Sequence, residues 1–305
     1  MKVLVATDKP FAPAAIKLIK EVMDGAGFEL VLLENYTDVA DFYKAVADVD
    51  ALIVRSDKVT AAVLDAAKKL KIVVRAGAGY DNIDLAACTA KNVVAMNTPG
   101  QNSNAVAELA FEMMLHQARF GFAGKSGTEL RGKKIGIHAF GNVGKYVALI
   151  AKGFGMDVYA YDPFVSINDI RAADVKPCHS EEELYSTCQY VSLHIPLDEK
   201  TEKSIGAKLL RMMPKNAVLV NTARKEVIDE EGLLQIMEER NDFKYLSDVA
   251  PDCAPIFKEK YVDRFVFTLK KMGAQTAEAN INAGVAAASQ IVDFLKNGND
   301  KFRVN

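Results

Sequence analysis

The chain has 305 residues, 50% hydrophobic and 26% charged, with a formal net charge of -2 and a pI near 6.2. This composition suits one large globular domain or two of medium size, and the near-neutral charge excludes a chain-wide attraction to nucleic acid. No apolar run is long enough to cross a bilayer, MKVLVATDKP has no apolar core of signal-peptide length, and the four cysteines (Cys88, Cys178, Cys188, Cys253) form no C-x-x-C pair. A membrane protein, a disulfide framework and a zinc or other metal site are therefore not expected, and the reading is a cytoplasmic one.

Short apolar runs predict strands at 3–6, 29–33, 51–55, 71–75 and 93–96. A second series falls at 134–139, 157–162, 190–194, 217–221, 245–249 and 265–268. Helical patterns lie between them, as at 13–24, 59–69, 103–118, 143–153 and 229–239. Continuous apolar strands separated by helices predict parallel sheets covered on both faces. Eleven strands in two series predict an α/β chain of two doubly wound parallel-sheet domains. The stretch 103–118, with Ser103 offered as N-cap, would carry the chain from one unit to the next. The last helix, near 275–296, would fold back on the first unit.

The clearest motif is KKIGIHAFGNVGKYVALIAKGFGMDVYAYD. A strand runs into Ala139, Phe140, Gly141, Asn142, Val143 and Gly144, then a helix, a second strand and Asp162. This is a βαβ unit with the dinucleotide fingerprint in its proper context. Gly141 admits a pyrophosphate to the backbone, Gly144 allows helix-on-strand packing, and the helix N-terminus offers free N–H groups. Asp162 follows Gly144 by eighteen residues, where a carboxylate meets the ribose 2′-hydroxyl and repels a 2′-phosphate, so NAD is the expected cofactor. The first glycine of the fingerprint is replaced by Ala139, which predicts a negative φ there.

Ligands of open α/β sheets sit at the carboxyl ends of strands. Arg55 and Ser56, Arg75 with the turn Ala76, Gly77, Ala78 and Gly79, Arg224, Asp248 and Asp252, and Lys270 and Lys271 all fall at such ends. Each charge alone is a solvated loop residue. Together, four cationic strand ends suit a substrate carrying carboxylate and phosphate, which arginine grips in bidentate fashion.

NTPGQNSNAVAEL, AFGNVG, VSLHIPLDEKT, VLVNTARKEVIDEEGL and GAQTAEA resemble the D-isomer-specific 2-hydroxyacid dehydrogenases over nearly the whole chain. VRSDKVT with VVRAGAGYDNIDL is most similar to the branch acting on D-3-phosphoglycerate in serine synthesis, in its short form without a C-terminal regulatory domain. The resemblance implies a flavodoxin-like substrate-binding domain at 1–98 and 274–305, with a Rossmann NAD domain at 99–273 inserted into it. It implies that Arg224 polarises the substrate carbonyl and holds the carboxylate, that Arg55 and Arg75 face the phosphate end, that the backbone amides of residues 76–79 hold the carboxylate, and that Ser56 and Asn102 lie near the substrate. It places His194, Pro196, Thr222, Ala223 and Asp248 with the cofactor. His194 is not the family's catalytic histidine, and His138 reads as a core residue.

Three departures stand out. Where the family carries its general acid/base histidine, two residues before Gly273, this chain has Lys271. A lysine exchanges a proton with an alcohol only when its pKa falls toward the working pH; otherwise it acts as a fixed charge on the developing alkoxide. Where the family has the glutamate that orients the histidine, DVAPDCAP offers Asp252 as the remaining acid. And only FGFAGKSGTE (120–129) fills a stretch that is often longer and embraces a second subunit, so a homodimer with reduced contacts is expected. The competing expectations are a glyoxylate or hydroxypyruvate reductase on the same scaffold, and a non-catalytic NAD-sensing protein of the corepressor type.

Overall fold

The computed structural model describes residues 1–305. It divides into two compact units, Met1–Asn102 with Gln275–Asn305, and Ser103–Ala274. No helix is long and apolar enough to cross a membrane.

The first unit is built on β1 (Lys2–Thr7), β2 (Glu29–Glu34), β3 (Ala51–Val54), β4 (Ile72–Arg75) and β5 (Val94–Asn97). They form one parallel sheet in the order β2-β1-β3-β4-β5. The period-2 pleat divides β1 between two cores. Val3 and Val5 face the helices Pro13–Ala26 and Ala277–Asn297, with Ile19, Met23, Ala287 and Ile291. Leu4 and Ala6 face the other side, with Phe42, Val46, Val63 and Cys88. All of these residues are at most 1% exposed, and burial of each large one contributes about 1.5–3 kcal/mol. The last helix lies close on the first: a Cβ at Gly284 would sit 2.9 Å from Ile19 Cδ1. The predicted helix at 59–69 is shorter, Ala61–Ala66, because Val59 bridges to Ile83 and Ala67 leaves helical geometry (φ -83, ψ 82).

The second unit carries β6 (Lys134–His138), β7 (Asp157–Tyr161), β8 (Lys176–Pro177), β9 (Tyr190–Leu193), β10 (Val218–Asn221), β11 (Lys244–Ser247) and β12 (Phe265–Phe267). The sheet is parallel, in the order β12-β11-β10-β9-β6-β7-β8. The two-residue β8 is a twelfth strand that the apolar runs did not show. Ser103 is the first residue of the helix Ser103–Ala118 rather than its cap. That helix and Asn142–Gly153 cover one face through Met113, Met114, Val147 and Ala151, while Leu184, Leu210, Leu233 and Ile236 cover the other.

Register decides what stands at the carboxyl edge of this sheet. His138 pairs with Tyr161 and Leu193, Leu193 with Asn221, Asn221 with Ser247, and Ser247 with Phe267. The residues one step beyond therefore form a row: Asp162, Ala139, His194, Thr222, Asp248 and Thr268. The chain direction reverses its strand order between β6 and β9, which is where such sheets bind ligands.

Candidate active site

The nucleotide loop follows β6. Gly141 caps the helix Asn142–Gly153 in extended geometry (φ -78, ψ -153), leaving the N–H groups of Asn142 and Val143 at its start. A Cβ added at Gly141 would meet no atom within 4 Å, so the space above it is open to a ligand. At Gly144 a Cβ would stand 2.4 Å from Ala139 O and 3.0 Å from Ile137 Cγ2, so only glycine lets the helix approach the strand. Ala139 corrects the expectation of a negative φ: it sits at φ 78. The fingerprint turn needs the left-handed region even where its first glycine is missing, at a strain cost of about 1–2 kcal/mol for a residue with a Cβ. Neighbouring bonds enforce it. Ala139 N–H donates to Tyr161 O at 2.9 Å and Phe140 N–H to Asp162 Oδ2 at 2.8 Å, with the Phe140 ring buried. Asp162 Oδ1 accepts Phe164 N–H at 2.8 Å. Each Asp162 oxygen keeps a lone pair, enough for a ribose hydroxyl.

The middle of the row is uncharged at neutral pH. His194 bonds Ser192 Oγ through Nε2 at 3.0 Å and Thr222 Oγ1 through Nδ1 at 3.2 Å. Burial, helped by repulsion from His138, pushes His194 down to about 3. It is a neutral hydrogen-bonding group, not an acid. His138 is a core residue as expected, 3% exposed and 3.2 Å from Tyr185 Oη.

After β10, Asn221 folds the turn that presents Arg224. Its Oδ1 accepts Ala223 N–H at 2.9 Å, and its Nδ2 donates to Arg224 O at 3.0 Å and Tyr245 Oη at 3.3 Å. Sequence reasoning missed Asn221, which has no motif of its own. Pro196 lies exposed beyond His194.

After β11, Asp248 is 2% exposed and the following Val249 has φ 124, an outlier for a β-branched residue. Asp248 bonds the segment 268–273 that carries Lys270 and Lys271, both exposed. Asp252 is placed elsewhere: its side chain, 81% exposed, pairs with Lys225 Nζ. Its N–H and that of Cys253 donate to the two oxygens of Glu230, at 2.9 and 2.8 Å.

In the first unit, the arginines again stand at strand ends. Val54 pairs with Arg75 in register, so Arg75 closes β4 and Arg55 follows the adjacent β3. The Arg55 guanidinium donates to Lys9 O, Pro10 O and Asn280 Oδ1, at 3.2, 3.3 and 2.6 Å, and lies 5.0 Å above the Phe11 ring. Arg75 Nε donates to Arg55 O at 3.1 Å. Gly77 takes φ 152, which favours glycine, and a Cβ there would stand 1.4 Å from Arg75 Nη1, so that the guanidinium would have to swing aside. Thr98 N–H donates to Gly77 O at 2.9 Å and Asn97 Nδ2 to Ala78 O at 2.6 Å, fixing the turn Ala76–Gly79. Asp57, unremarked in the sequence, ties the edge together by accepting Asp8 N–H at 2.8 Å and Tyr36 Oη–H at 2.6 Å. Ser56 is exposed, and Gly79 and Asn102 are partly so.

The family described as D-isomer specific 2-hydroxyacid dehydrogenase, NAD binding domain, matches residues 103–264. A D-3-phosphoglycerate dehydrogenase of Methanocaldococcus jannaschii is 34% identical over 97% of this chain and 58% of its own length. A hydroxypyruvate reductase of Thermotoga maritima is also 34% identical, over 88% of this chain and 92% of its own length. The chain thus spans little more than half of the curated phosphoglycerate dehydrogenases it matches. Among solved structures, the NAD+-bound 3-phosphoglycerate dehydrogenase of Entamoeba histolytica is 48% identical with a TM-score of 0.88, covering 100% of this chain and 98% of that one.

Proposed function

The chain belongs to the D-isomer specific 2-hydroxyacid dehydrogenase family, and on that premise we propose that it oxidises D-3-phosphoglycerate to 3-phosphohydroxypyruvate with NAD, the first step of serine biosynthesis. Residues 1–98 and 274–305 would bind the substrate and 99–273 the cofactor. The observation that carries the phosphorylated substrate is the pair Arg55 and Arg75 on adjacent strand ends, with Gly77 kept bare beside the Arg75 guanidinium.

The cofactor reading is supported by the open space over Gly141, the helix N-terminus after it and the spare lone pairs of Asp162. When bound, NAD+ would supply the acceptor for the hydride that leaves C2 of the substrate. Arg224, on a turn braced by Asn221, would hold the carboxylate and draw electron density from the C2 oxygen. The C2 hydroxyl proton leaves as the C=O bond forms. Lys271 would receive that proton or, remaining an ammonium, hold the developing negative charge while water carries the proton away.

A second reading, reduction of hydroxypyruvate or glyoxylate, is favoured by one observation. Arg55 already donates to Lys9, Pro10 and Asn280, which leaves fewer N–H groups for a phosphate. NADH formation from 3-phosphoglycerate at alkaline pH, with glycerate, lactate and NADP as controls, separates the two. Absence of turnover with every hydroxyacid would instead support an NAD-sensing role. Lys271→Ala and Lys270→Ala, assayed side by side, test the register: loss with Lys270→Ala alone moves the role by one residue, and loss with neither removes it.

A cytoplasmic homodimer is part of the same proposal. Four unpaired cysteines suit a reducing compartment. Phe122 and Leu149, 74% and 65% exposed, leave apolar surface on the second unit that a second copy of the chain would cover. Sedimentation of the wild type against Phe122→Asp tests it.

A further inference from the structure

The Asp248 carboxylate has work that a cofactor contact does not account for. Oδ1 accepts Thr268 Oγ1–H at 2.9 Å and Met272 N–H at 2.7 Å, and Oδ2 accepts Gly273 N–H at 2.8 Å. Its own N–H donates to Asn221 O at 2.9 Å. A Cβ at Gly273 would stand 2.9 Å from Oδ2, so the segment and the carboxylate are in close contact. The segment 268–273 has no helix or strand of its own, and Leu269, Lys270 and Lys271 are exposed. Thr268 N–H donates to Ser247 O at 3.2 Å, and the Asp248 carboxylate reaches both ends of the segment. The φ of 124 at Val249 shows that the backbone after Asp248 is over-determined by its surroundings.

We propose that Asp248 is the positioning residue of the lysine segment. From the end of β11 it holds Thr268 and the backbone of Met272 and Gly273, and so sets where the Lys271 ammonium is delivered. This rests on the dehydrogenase reading for its effect on rate, but not for the anchoring itself. Three of the roughly four acceptor sites of the carboxylate are used by the segment, and a side chain so committed acts through the residue it places. An acid/base group displaced by about 1 Å loses on the order of 100-fold in rate.

Asp248→Asn keeps the shape and replaces an acceptor with a donor facing N–H groups. It is expected to lower kcat about 10- to 100-fold while the KM for the hydroxyacid changes about threefold or less. In a Lys271→Ala background the same change is expected to cost less than about threefold, because the residue it places is gone. Amide exchange gives a readout independent of turnover: Met272 and Gly273 N–H are protected in the wild type and exchange freely in Asp248→Asn. If Asp248→Asn does not fold, Thr268→Val removes one of the three bonds and is expected to show the same pattern at smaller size. An equal loss in both backgrounds, weaker NAD binding with kcat intact, or unprotected amides in the wild type each overturn the proposal. A wild type without hydroxyacid turnover defeats the dehydrogenase reading, and amide protection then still decides whether Asp248 anchors the segment.

Discussion

Two carboxylates at the edge of the same sheet do similar jobs with different surplus. Asp162, after β7, catches Phe140 N–H in the loop after its neighbour β6. Asp248, after β11, catches Met272 and Gly273 N–H in the segment after its neighbour β12. Both hold a loop from the adjacent strand end. Asp162 is only partly buried and each of its oxygens takes one backbone donor, so it can still meet a ligand. Asp248 is 2% exposed and shares three donors between its oxygens. Burial, rather than residue type or place in the row, separates the carboxylate that keeps an accessible face from the one enclosed by its donors.

The largest effect expected is at Gly144, the part of the nucleotide loop that no carboxylate controls. Gly144→Ala drives a Cβ to 2.4 Å from the Ala139 carbonyl, and backbone cannot rotate away as a side chain does. A loss of about 3 kcal/mol in stability and about 100-fold in NAD affinity is expected, read by denaturant melts and titration. Asp162→Ala comes next. It removes the brace on Phe140 and, on the proposed reading, the partner of the ribose, so NAD affinity should fall about 10- to 50-fold and preference over NADP should shrink. If NAD affinity falls more in Asp248→Asn than in Asp162→Ala, the contrast between the two carboxylates is wrong.

A third prediction clears the acid range for that contrast. His194 is pushed down to about 3 in the folded state, against an ordinary value near 6.5. The unfolded chain therefore binds a proton the folded one refuses, and stability falls as pH drops below about 6.5. About 1–2 kcal/mol of the loss between pH 6.5 and 5 should come from this group, and thermal melts of His194→Gln should be correspondingly flatter.

Much of this row was legible in the sequence, because strand ends can be found from apolar runs and parallel register then aligns them. Motif and resemblance point to Asp162, Ala139, His194, Thr222 and Asp248, and the register aligns them. What could not be read was which partner each side chain takes. The resemblance points to Asp252 as the acid in the place of the family glutamate, yet Lys225 pairs with it at the surface. Asn221, Asp57 and Asn280 went unnoticed because their partners lie across turns or far along the chain, up to 225 residues away for Arg55 and Asn280. The short helices at Glu181–Thr187 and Ala207–Met212 were also missed; six or seven residues give too few turns for a periodic pattern.

The smallest effect tests whether the nucleotide loop is held against strain. Ala139 at φ 78 carries a Cβ in the left-handed region, and Tyr161 O and Asp162 Oδ2 keep the turn there. Ala139→Gly removes the Cβ clash, worth about 1–2 kcal/mol. Against this, glycine adds about 0.4–1 kcal/mol of backbone freedom to the unfolded chain. The net expectation is a gain of up to about 1.5 kcal/mol in a denaturant melt with NAD affinity unchanged, since the bonds that shape the loop remain. A loss of stability would mean that the alanine is relaxed where it sits. The same substitution in an Asp162→Ala background should gain less, because a loop no longer drawn in by that carboxylate has already released part of the strain.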